Sequence, residues 1–67
     1  MLPQLMDEFV DHEKNVKAEV VFDGKSYGCI FYNQGQRVGQ EIYEGKSKAW
    51  AESAAENYVL GIKTLNG

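Results

Sequence analysis

The first apolar pattern along the chain has helical spacing. In LPQLMDEFVDHEK (residues 2–14), Leu2, Leu5, Met6, Phe9 and Val10 fall at i, i+3, i+4, i+7 and i+8, one stripe of an amphipathic helix. Gln4, Asp7, Glu8 and Asp11 take the other faces. Pro3 suits a first turn, where its missing N–H is no loss, and Asn15 is placed to end the helix. The period then changes to two. KAEVVF (17–22) sets Ala18, Val20 and Phe22 against Lys17, Glu19 and Val21. YGCIFY (27–32) is rich in strand formers, and RVGQEIYE (37–44) sets Val38, Gln40 and Ile42 against Arg37, Gly39, Glu41 and Tyr43. The turn signals DGKS (23–26) and NQGQ (33–36) separate these runs, which predicts two hairpins and a three-stranded antiparallel meander. A second helix is expected after Ser47, a good N-cap, with Ala51, Ala54, Ala55, Tyr58 and Ile62 on its apolar face. It runs to about Leu60; Gly61 offers a C′ stop, or Ile62 and Leu65 extend it by a turn.

These elements predict a single α+β domain over residues 1–67 in the order α-β-β-β-α. Both helices pack on one face of a three-stranded antiparallel sheet and the other face stays wet. The expected core is Leu5, Met6, Phe9, Val20, Phe22, Cys29, Phe31, Ile42, Ala51, Ala55, Tyr58 and Ile62. A slip of one residue inverts a strand, so the strand facings depend on register.

Composition adds exclusions. At 43% hydrophobic and 12% aromatic the chain is globular rather than disordered. With 67 residues, one cysteine (Cys29) and one histidine (His12), it has neither an internal disulfide nor a metal-ligand cluster to staple a small core. No cofactor, metal or small-molecule substrate is expected. No nucleophile–base pair or two-carboxylate site is legible, so the expectation is a non-enzymatic protein. No apolar run approaches the roughly 20 residues that span a membrane. A free cysteine, and Asp7 and Glu8 where a leader would be basic then apolar, point to the cytoplasm. The net charge of −3 argues against gripping phosphate backbones by overall charge, though not against a local basic patch.

The element order, LPQLMDEF with Leu5, Glu8 and Phe9, and GKSKAWAESAA (45–55) followed by Leu60 together resemble the double-stranded RNA-binding domain. The resemblance covers nearly the whole chain and is carried most by the second helix. It implies a reader of A-form shape that touches two minor grooves and the phosphates between them. On that reading Gln4 and Glu8 stand at the helix-one contacts, Lys25 at the loop contact, and Lys46 and Lys48 at the phosphate clamp. The sequence departs from the family in three ways. DGKS lacks the loop's Pro and His, and the second and third clamp lysines are Ala49 and Glu52. Weak binding of structured or double-stranded RNA is then the most to expect.

The second reading is a protein-interaction or dimerisation module that keeps the fold without RNA. Its surface would be Trp50, beside the lysines and off the apolar stripe, with Tyr43 and the other tyrosines. The bland alternative for Trp50 is a rim position of the core. A protein partner, a second copy, or a nucleic-acid-handling enzyme that it inhibits would each suit a small acidic chain.

Overall fold

The structure, a computed structural model, describes residues 3–65. Four strands, β1 (Gln4–Asp11), β2 (Val16–Phe22), β3 (Tyr27–Asn33) and β4 (Gln36–Tyr43), pair antiparallel in chain order, and one helix, α1 (Lys48–Val59), follows them. The expected α-β-β-β-α order is therefore corrected. The sheet has four strands rather than three, and among the described residues there is one helix rather than two.

A β-bulge explains the misleading spacing at the start. Leu5 pairs with Val21 and Asp7 with Val20, which leaves Met6 as an extra residue in β1. In a regular strand, residues on one face lie two apart. Across this bulge Met6 and Phe9, three apart, both pack against the core, while Leu5 and Val10 are exposed. A spacing of three is also what a helix gives, and only pairing with β2 separates the two. Leu2, counted on the helical stripe, lies outside the described residues. Asn15, expected to end a helix, instead closes the β1–β2 turn at a left-handed φ of 55°.

The two predicted hairpins form. Gln34 and Gly35 carry positive φ values of 55° and 79°, the primed two-residue turn that matches strand twist. In the β2–β3 turn, Asp23 Oδ1 accepts hydrogen bonds from the amides of Lys25 (2.9 Å) and Ser26 (2.8 Å). These two bonds hold the Asp23 carboxyl below its ordinary pKa.

Ser47 caps α1, its Oγ accepting from the Trp50 amide. At the other end the Gly61 amide donates to the Tyr58 carbonyl and the Ile62 amide to the Asn57 carbonyl, a Schellman stop. Gly61 sits at φ +85°, where a side chain would be strained. The helix therefore ends, and Ile62, expected in the core, is 71% exposed.

Ala18, Val20, Cys29 and Phe31 of the sheet meet Ala51, Ala55 and Val59 of α1 in the buried core. Tyr58 packs on Phe31 at a ring-centroid distance of 4.7 Å and donates its hydroxyl to the Tyr32 carbonyl. Cys29 Sγ donates to the Ala51 carbonyl at 3.1 Å, and burial pushes its thiol pKa up to about 11. Two further core expectations are corrected by register. Leu5 is 55% exposed because it lies before the bulge. Ile42 is 44% exposed because Tyr43, Glu41 and Gly39 are the β4 residues opposite the inward Tyr27, Cys29 and Phe31.

Candidate interaction site

α1 lies chiefly over β1, β2 and β3, and β4 is a free edge of the sheet. Three β4 residues face the helix side: Gly39, Glu41 and Tyr43. Each meets something different. The chain leaving α1 passes over the first two: Leu65 lies against Gly39, and Lys63 Nζ reaches Glu41 at 3.0 Å. Tyr43 is left beside a groove of about 680 Å³. Its other wall is the α1 stripe Trp50, Ser53, Ala54 and Asn57, with Lys46 and Lys63 at the ends. That stripe runs i, i+3, i+4, i+7 beside the buried Ala51–Ala55–Val59 line, so one helix serves the core with one face and the groove with the next.

Polar groups on the groove floor are tied down. Tyr43 donates its hydroxyl to Glu41 at 2.6 Å, and Lys63 pairs with the same carboxylate. Burial acts to raise the Glu41 pKa, but the bonds from Tyr43 and Lys63 outweigh it and leave the carboxyl below its ordinary value. Burial, then the Glu41 carboxylate, push the Tyr43 phenol well above its ordinary range. Tyr43 is thus a fixed neutral donor. Trp50 is 53% exposed on the rim, with Lys46 Nζ 4.5 Å over its ring.

The two partner-surface residues, Trp50 and Tyr43, do share one site. The RNA-contact residues divide. Gln4, Phe22, Tyr27 and Tyr43 form one row across the sheet, so Gln4, the Lys25 turn and the Lys46–Lys48 helix start all lie at one end of the molecule. Glu8 does not join them. It stands mid-strand opposite Glu19, 3.8 Å from Lys17, which also pairs with Glu19 at 3.5 Å. Gln4 and Glu8 are on a strand, so the helix from which the resemblance would present them is absent. Lys48 is paired with Glu52 at 3.6 Å, one turn on.

Ser53, Asn57 and Lys63 are groove residues that sequence reasoning misses. The first two are legible in principle, being one and two turns beyond Trp50. Lys63 is not, because it reaches β4 only once Gly61 turns the chain back. Among the described residues no three His, Cys, Asp or Glu side chains converge to hold a metal, and no helix is long and apolar enough to cross a membrane. Comparison with family models, curated proteins and solved structures gives no match.

Proposed function

We propose that the protein is a non-enzymatic protein-interaction module whose working surface is the free edge of β4 and the groove behind it. The observation that carries this reading is Trp50, half exposed beside an apolar groove that opens onto a strand whose outer edge is unpaired. An unpaired edge offers backbone hydrogen bonds, and a neighbouring apolar groove supplies anchoring, which together are the ingredients of strand addition. Aromatic anchors such as tryptophan dominate interface energetics. The free, buried Cys29 suits a reducing compartment, so the cytoplasm is where we place this activity.

A second reading, weak binding of double-stranded RNA, is supported by the gathering of Gln4, Lys25, Lys46 and Lys48 at one end. It is the weaker of the two. Glu52 offsets Lys48, Asp23 and Glu44 share that end, and the chain carries −3 overall. Every phosphate left without a cation flattens the salt slope by roughly 0.9. Fluorescence anisotropy of a duplex of about 16 base pairs, the span a double-stranded RNA-binding domain covers, separates the readings. The interaction reading expects no saturable binding even at low salt. Salt-sensitive binding that Lys46→Glu abolishes would overturn it.

A further inference from the structure

The two edges of the sheet are built differently. β1 carries Asp7, Glu8, Asp11 and the bulge at Met6, the devices that keep an edge from pairing. β4 also has a bulge, at Val38, but beyond it Gly39–Tyr43 runs regularly. The one carboxylate in β4, Glu41, is already held by Lys63 and Tyr43. Val38 and Ile42, 49% and 44% exposed, stand along β4, much as Leu5 and Val10 stand along β1, so the edges differ in their carboxylates rather than in exposed apolar side chains. The core behind it is small: Phe31, Val20 and Cys29 are the largest fully buried side chains, and Cys29 is free rather than in a disulfide. Small folds without staples often complete themselves by oligomerising.

We propose that β4 pairs antiparallel with β4 of a second copy about a two-fold axis, joining two four-stranded sheets into one of eight. This deepens the interaction reading, on which it rests, by naming the occupant of the edge. Charge complementarity selects the occupant. A two-fold antiparallel pairing sets the Gln36–Arg37 end of one strand against the Tyr43–Glu44 end of the other. Arg37 thereby meets the partner's Glu44, and the same contact repeats across the axis. Arg37 and Glu44 are both exposed and, among the described residues, neither has an ion-pair partner in its own chain; the Arg37 guanidinium donates only to Gln40. They lie seven residues apart along the strand direction, roughly 23 Å, too far to pair within one chain. On the axis of this pairing Glu41 meets its own copy, each carboxylate held by Lys63 of its own chain. The same symmetry at β1 would instead gather Asp7, Glu8 and Asp11 from both copies, of which, among the described residues, only Glu8 and Asp11 have a lysine partner. Pairing β4 with β1 would give an open head-to-tail chain instead of a closed pair.

The test is sedimentation equilibrium of the full chain and of Arg37→Glu and Glu44→Arg, with circular dichroism to verify that each is folded. The wild type is expected at twice the 7.5 kDa chain mass. Each variant alone sets like charges together at both ends of the seam and should dimerise about tenfold or more weakly. An equimolar mixture of the two restores opposite charges at both ends, so it should recover the dimer that neither variant forms alone. A monomeric wild type at millimolar concentration would overturn the proposal. So would a dimer that both variants retain, or a mixture that associates no better than its components. The two claims fail separately: the broader interaction reading fails on the duplex RNA titration, this one on mass and on the mixing experiment.

Discussion

Glu41 receives two donors, the Tyr43 hydroxyl within β4 and Lys63, and through Lys63 β4 is fastened to the chain that follows α1. Its lowered pKa sets the sign of a pH dependence. The folded state favours the charged carboxylate, so the stabilisation is fully present above the ordinary value of 4.5 and is lost as pH falls through and below it. Glu41→Gln should therefore cost under about 1 kcal/mol at neutral pH, because the pair is partly exposed. Urea midpoints of wild type and variant should differ at pH 7 and converge at pH 3. A gap that persists at pH 3 would mean that Glu41 acts by packing rather than by charge. Trp50 differs from Glu41 in kind, since its exposed ring holds no buried residue in place and its replacement should spare the fold.

At the scale of elements, the close approach of β3 to β4 rests on Gly28. A methyl group there would sit 2.5 Å from the Glu41 carbonyl oxygen and 3.0 Å from the Ile42 side chain. Gly28→Ala should destabilise by about 1–3 kcal/mol, the usual cost of overpacking. Gly39→Ala should be milder, because its nearest neighbour is the tip of the flexible Leu65 side chain. Thermal melts of the two variants rank them, and a Gly39→Ala drop as large as that of Gly28→Ala would contradict this packing. The elements legible in the sequence were those fixed by local chemistry: the Asp-Gly turn, the Gln34–Gly35 turn and the Ser47 cap. The stop at Gly61 is one of two alternatives that the sequence leaves open, and the expected core place of Ile62 goes with the other. β1 was not, since its bulge gives Met6 and Phe9 the spacing of a helix, and only long-range pairing with β2 makes it a strand. The facing of Ile42 failed for a related reason, because alternation over Gly39–Tyr43 fixes which residues share a face but not which face is inward, and the bulge at Val38 takes Arg37 off the face of Gly39. Of the site, Trp50 and Tyr43 were legible as unusual aromatics; the groove joining them depends on how far α1 extends across the sheet.

For the whole molecule, the distribution of exposed apolar side chains matters more than their number. Val38 and Ile42 lie on β4 and Trp50 faces it across the groove; the opposite edge also exposes Leu5 and Val10 but sets them among Asp7, Glu8 and Asp11. Such an arrangement is what the proposed partner surface calls for. On the interaction reading, the net charge of −3 disfavours phosphate-rich ligands and the apolar, backbone-rich edge is the means of recognition. The most direct test is photo-cross-linking from the groove itself. A photoreactive amino acid replaces Ser53, which is exposed on the groove wall and whose side chain makes no described hydrogen bond. On irradiation in cell extract a discrete protein adduct is expected, with a second copy or another protein, that Trp50→Ala removes while leaving the circular dichroism spectrum intact. An adduct that survives Trp50→Ala, or RNA as the only cross-linked species, would contradict the interaction reading.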